Sequence, residues 1–141
     1  METEQTENGK PTIVLLAAGM AALPLARLRE RIGLDPLGSS IEWFFQTDAF
    51  SERIRRLPRD IGIAVLFIPD EDRLAEIAAL KGFLDSVRLI LILSEENPIL
   101  RRKARLLHPS YVCSPDGDFK DLTAVLDKIQ INSKQSTQME A

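Results

Sequence analysis

The chain has 141 residues, 45% of them hydrophobic and 28% charged, with a formal net charge of -3. That length suits one domain with a real core, and the acidic balance gives no overall attraction to nucleic acid or anionic lipid. One cysteine, Cys113, and one histidine, His108, exclude an intrachain disulfide and argue against Cys-rich or His-based metal sites. A lone thiol fits a reducing cytoplasm.

Residues 1–11 are polar, acidic and aperiodic, as in a disordered arm. Thr12 to Ala26 is apolar almost throughout, but Glu2, Glu4 and Glu7 precede it against a single Lys10. It lacks the positive flank of an export signal and is too short to span a bilayer. Ile13–Ala17 reads as a first buried strand. A helix follows, with Leu25, Leu28 and Ile32 on one side, Pro24 in its first turn and Gly33 placed to stop it. Residues 35–40 form a loop.

Ile41–Phe45 is rich in strand formers but carries Glu42, which suits an edge strand. Thr47 or Asp48 caps a short helix that buries Phe50, Ile54 and Leu57 and ends at Pro58. Ile61 to Pro69 is a continuous apolar run closed by proline and an acidic cluster, the pattern of a strand buried on both faces. Asp70–Val87 reads as one helix on the spacing of Leu74, Ile77, Leu80, Leu84 and Val87. Leu89–Leu93 is a fourth buried strand, Asn97 caps and Pro98 opens a helix through Leu107, and Tyr111–Cys113 is a short fifth strand. Asp118 caps a last helix with Phe119, Leu122, Val125, Leu126 and Ile129 on one face, before a disordered tail at 132–141.

Five strands alternating with five helices imply a three-layer α/β/α sandwich around a parallel sheet. Right-handed crossovers favour the order 2-1-3-4-5, which also sets the charged second strand at an edge. In such sheets ligands gather at the carboxyl ends of the strands.

Element order, together with Tyr-Val-Cys-Ser-Pro at 111–115 and Ser94 closing Leu-Ile-Leu-Ile-Leu, makes residues 12–131 resemble a response-regulator receiver domain, the flavodoxin-like module that takes a phosphoryl group onto a strand-three aspartate. The resemblance implies an acidic, magnesium-holding pair where this chain has Ala17 and Ala18. It implies an acceptor aspartate where Phe67 and Ile68 stand, and a lysine at Ser114. Ser94 matches the hydroxyl that contacts the phosphoryl oxygen, Tyr111 the family's switch aromatic, and Pro115 a proline that follows a cis bond. Phosphoryl transfer rests on positioning and charge stabilisation, so the expectation is a degenerate receiver that does not turn over phosphate, needs no cofactor or metal, and signals by binding protein. Asp70, in a shifted register, is an alternative phospho-acceptor; its other reading is a helix cap. A small α/β nucleotide- or ligand-binding protein is a further alternative, supported only by Ala-Ala-Gly-Met at 17–20. His108 reads as a helix-end residue and Cys113 as a core hydrophobe.

The 98–108 helix offers the most informative surface. Leu100, Ala104 and Leu107 share an inward stripe, with Arg101, Arg102 and Arg105 roughly opposite. Ile99 and Leu106 lie to one side, either widening the core stripe or forming an apolar pair rimmed by arginine. With the resemblance, Ile99, Arg102, Leu106 and Tyr111 become a candidate interaction surface, for a protein partner or for a homodimer through this helix, strand five and the last helix. A nucleic-acid role is disfavoured, since the basic cluster is local and lacks interleaved aromatics. Both flanking arms are short, so the chain reads as stand-alone.

Overall fold

The computed structural model describes residues 12–34, 40–56, 60–94, 96–117 and 119–129. The two terminal arms, most of the 35–40 loop, Leu57, Pro58 and Asp118 lie outside this set. The elements run β1 (Thr12–Leu16), α1 (Ala22–Leu34), β2 (Ile41–Phe44), α2 (Thr47–Arg56), β3 (Ile61–Phe67), α3 (Glu71–Ala79), β4 (Arg88–Ile92), α4 (Pro98–Ala104) and β5 (Tyr111–Cys113). A final helix, α5, occupies residues 120–129. The five strands are parallel in the order β2-β1-β3-β4-β5.

The central strands are apolar without interruption because both faces of the sheet are covered. Val14, Leu16, Ala64, Leu66, Leu89 and Leu91 point to one side and pack with Phe50 and Ile54 of α2, Leu74 and Ile77 of α3, and Leu100 and Ala104 of α4. The alternate residues Ile13, Leu15, Ile63, Val65, Ile90 and Ile92 meet Leu28 and Ile32 of α1 and Leu122, Leu126 and Ile129 of α5. Each such aliphatic side chain contributes roughly 1.5–3 kcal/mol of burial. Gly62 is an extra residue in β3 opposite the Thr12–Ile13 step, after which Leu16 pairs in register with Leu66.

Edge strand β2 is half-buried along its length. Its charge is satisfied: Arg53 Nε lies 2.7 Å from Glu42 Oε1, and Arg53 Nη2 lies 3.0 Å from Asp60 Oδ2. These two carboxylates, Glu42 first, outweigh partial burial and push the Arg53 guanidinium pKa further up. Arg29 lies over the stacked rings of Trp43 and Phe45 at 5.5 and 5.3 Å.

Four local expectations are corrected. Helix α1 continues through Gly33 to Leu34 instead of stopping at the glycine. Helix α2 starts at Thr47 itself, with the Gln46 carbonyl accepting from the Phe50 N–H (3.2 Å), so neither Thr47 nor Asp48 caps from outside. The helix predicted over 70–87 ends at Ala79, and the chain goes on as a 3₁₀ turn over Lys81–Phe83. Leu84 and Val87 are buried nonetheless, beyond that turn, where the Val87 N–H donates to the Leu84 carbonyl at 3.0 Å and both side chains join the core on the α2–α4 side. The helix predicted over 98–107 tightens into a 3₁₀ turn at Arg105–Leu107. Asn97 caps it as expected, its Oδ1 accepting from the Leu100 N–H at 3.0 Å.

Candidate functional site at the carboxyl ends of the strands

Parallel strands deliver their following loops to one edge of the sheet. After β1 the chain turns tightly at Ala17–Met20: the Ala17 N–H donates to the Phe44 carbonyl (2.8 Å) and the Met20 N–H to the Ala17 carbonyl (3.0 Å). The turn places Gly19 at φ 83°, a conformation that costs a side-chain-bearing residue energy. Ala17 and Ala18 are both buried, and their methyl groups bring no donor atoms to the corner. After β3, Phe67 packs on the α1/α5 side while Ile68 is fully buried among the α2–α4 residues.

Asp70 does what a cap does. Its Oδ1 accepts from the Arg73 N–H at 2.9 Å, with the Asp70 backbone extended at φ -157°, ψ 179°. Glu71 and Asp72 follow in the first turn and complement the helix dipole. Replacing Asp70 with alanine is expected to destabilise the protein by about 1 kcal/mol, read by urea denaturation. Asp70→Asn, which keeps an acceptor oxygen, should lose much less.

Arg73 is the residue that sequence reasoning missed. Its side chain is only 13% exposed. It leans back from the first turn of α3 to the strand ends, where Nη1 donates to the carbonyl oxygens of Ala18 (3.1 Å) and Phe67 (3.0 Å). Its Nε lies 3.6 Å from Glu76 Oε1. A fixed positive charge therefore ties the loop after β1 to the end of β3. One signal was present in the sequence: a cation in the first turn opposes the helix dipole and needs a compensating partner.

Magnesium, the metal that the receiver resemblance implies, needs hard oxygen ligands, chiefly carboxylates. Ala17, Ala18, Phe67 and Ile68 supply no side-chain oxygen, and the Ala18 and Phe67 carbonyls already accept from Arg73. Among the described residues no group of three or more His, Cys, Asp or Glu side chains could hold a metal ion. The donor set does not fit the ion.

The remaining candidates lie around the ends of β4 and β5. Ser94 follows β4 and is half-buried, with Oγ accepting from the Glu96 N–H at 3.1 Å. Ser114 follows β5, and its Oγ accepts from the Asp116 N–H, also at 3.1 Å. Both hydroxyls are thus engaged in local turns. The bond before Pro115 is trans, which corrects the cis reading; the Ser114 turn closes without it. Tyr111 is half-buried, its phenol pKa raised by burial first and then by Cys113 and Asp121. His108 is exposed just past the 3₁₀ turn, in a left-handed conformation (φ 54°, ψ 56°) that ends the element. Cys113 is half-buried on the edge strand, and burial pushes its thiol up to about 12.

On α4, Leu100, Ala104 and Leu107 face inward as predicted. Ile99 and Leu106 do not widen that stripe: they are 55% and 71% exposed, and Arg102 is exposed between them.

This architecture defines the class: a flavodoxin-like fold of the receiver type. No protein-family profile matches the chain, and no curated protein matches its sequence. Among solved structures, it is similar to the RcsB response regulator of Salmonella typhimurium, with a TM-score of 0.68 and 15% identity over 87% of this chain and 61% of that one. The chain thus spans less than two thirds of that regulator. A receiver domain of an HD domain-containing protein from Pseudomonas fluorescens gives a TM-score of 0.67 and 17% identity, covering 91% of this chain and 99% of that one. A CheY-like receiver domain from Methanospirillum hungatei gives 0.61 and 14%, covering 90% and 99%. At these identities the likeness establishes the fold. Among the described residues, no helix is long and apolar enough to cross a membrane.

Proposed function

We propose that the protein is a receiver-like signalling domain that forgoes aspartyl phosphorylation and acts by binding another protein. One observation carries this reading: the Arg73 guanidinium bridges the Ala18 and Phe67 carbonyls at the corner where a receiver gathers its metal and acceptor carboxylate. A divalent ion brought there would meet a resident cation, and Ala17, Ala18, Phe67 and Ile68 offer it no carboxylate. An acyl phosphate at the end of β3 would need an aspartate where Phe67 and Ile68 stand. The positioning and charge neutralisation that phosphoryl transfer requires are therefore lacking, and the protein does not turn over phosphate. Output is set by the amount of protein or by a ligand other than a phosphoryl group. The surface that delivers it is the exposed side of α4 with Tyr111, through Ile99, Arg102 and Leu106. A cytoplasmic setting, suited to the lone thiol, belongs to the same reading.

Magnesium with beryllofluoride, titrated into labelled protein, tests the claim. The amide resonances of Ser94, Tyr111 and Ser114 are expected to stay in place. Saturable shifts at these positions would overturn it. So would hydroxylamine-labile phosphate on the wild type that disappears in Asp70→Asn, which would establish Asp70 as the acceptor at the expense of its capping bond.

A further inference from the structure

Helices α2 and α3 cover the same face of the sheet and leave a cavity of about 190 Å³ between them. Its floor is apolar: Leu16 at the end of β1, Phe50 of α2, Ile77 of α3 and the Leu80 that ends α3, all buried. Its rim is charged. Asp48, Ser51 and Arg55 stand at i, i+3 and i+7 on one face of α2, and Glu76 lines the cavity from α3. A wider hollow alongside, about 350 Å³, shares Asp48, Ser51 and Arg55 but adds only Glu52 and Arg56. It has no apolar floor, so the smaller cavity is the better receptacle.

Size and charge together restrict the occupant. A benzene-sized molecule fills a cavity of about 150 Å³, so the floor has room for one hydrophobic side chain of leucine or phenylalanine size. The rim selects the head that such a side chain carries. A lone carboxylate would meet Arg55 but also the like charges of Asp48 and Glu76. A lone amine would meet those two carboxylates with Arg55 opposing it. A zwitterion sets a charge of each sign against its complement, and the Ser51 hydroxyl adds a donor and acceptor.

The cavity is also connected to the corner at the strand ends. Glu76 lies 3.6 Å from Arg73 Nε, and Arg73 ties the Ala18 carbonyl to that of Phe67. Leu16, on the floor, directly precedes the turn at Ala17–Met20. An ammonium group drawn to Glu76 competes with Arg73 for the same carboxylate. We propose that this cavity binds a small apolar α-amino acid and that its occupancy is the input of the domain; the proposal rests on the reading of the protein as a signalling domain whose output is set without phosphorylation.

Amide spectra of the full chain, titrated separately with L-leucine, L-phenylalanine, glycine, phenethylamine and phenylpropionate, test this. At least one of the two apolar amino acids is expected to shift Phe50, Ser51, Ile77 and Leu80 saturably at roughly millimolar concentration, with Gly19 and Met20 moving in the same titration. Glycine, which lacks the apolar body, should leave all six in place. Phenethylamine lacks the carboxylate and phenylpropionate the ammonium, and each should bind roughly fivefold or more weakly than the amino acid. Arg55→Gln should weaken the amino acid by a similar factor and leave phenethylamine no weaker. Arg55 is exposed, so the thermal melt of this variant should match the wild type. No saturable shift with either apolar amino acid, equal binding of either analogue, shifts indifferent to Arg55→Gln, or binding that leaves Gly19 and Met20 unmoved would overturn the proposal. The magnesium and beryllofluoride titration reads the ends of β4 and β5, whereas this one reads α2 and α3, so either can fail alone.

Discussion

Replacing Arg73 by methionine is expected to destabilise the protein by about 2–4 kcal/mol, a large effect for one substitution outside the hydrophobic core. Methionine preserves most of the apolar stem and removes the guanidinium, so the loss reports the two charge-assisted bonds to the Ala18 and Phe67 carbonyls together with the longer ion pair to Glu76. Part of that loss is offset, because a cation in the first turn of α3 works against the helix dipole. Arg73→Lys should fall between wild type and methionine, since one ammonium on a flexible stem reproduces two positioned donors poorly. The effect should be local as well as global. Hydrogen exchange at Gly19 and Met20, in the turn that Arg73 holds against β3, is expected to speed up more than exchange in β4. If Arg73→Met leaves both the urea midpoint and these amides unchanged, the guanidinium merely rests on the surface. The account of a corner closed by its own cation then fails.

The second large effect is alkaline. Burial raises the Cys113 thiol from an ordinary 9.0 to about 12. Its proton is held more tightly in the folded chain, so the stabilisation is whole below pH 9 and is lost as pH rises towards 12. By pH 11 the loss amounts to about 2–3 kcal/mol. Tyr111, also raised, adds a loss of the same sign at higher pH, part of it caused by Cys113 itself. The difference between wild type and Cys113→Val is therefore the measurement: between pH 9 and 11 the valine variant should lose stability more slowly. Alkylation at neutral pH gives an independent reading. With so little thiolate, only partly offset by its greater nucleophilicity, the native protein should react with iodoacetamide at least roughly tenfold more slowly than a free cysteine peptide. Equal reactivity in native and unfolded protein would show that the thiol is not held as the fold implies.

Much of the architecture could be read in the residues because the cues were local and strong. Runs such as Leu89–Leu93 have no polar alternation, so they can only lie between two covered faces. Asn97 before Pro98 marks a helix start by chemistry that involves only neighbouring residues. The end of α3 could not be read in the same way. Apolar spacing from Leu74 to Val87 is continuous, and it conceals the change to a 3₁₀ turn. The outward exposure of Ile99 and Leu106 was equally undecidable, since the angular width of a helix's buried face depends on what packs against it.

Composition and pattern by themselves determined the layers, the order of elements, and the absence of carboxylates at the ends of β1 and β3, because position along a strand decides which residues reach its carboxyl edge. Only the tertiary structure decided what stands there instead. Arg73 has a long side chain with many rotamers, and its neighbours in sequence do not say which it adopts. The choice was made by two carbonyls, one of them 55 residues away along the chain, that come within reach of one guanidinium when β1 and β3 lie side by side.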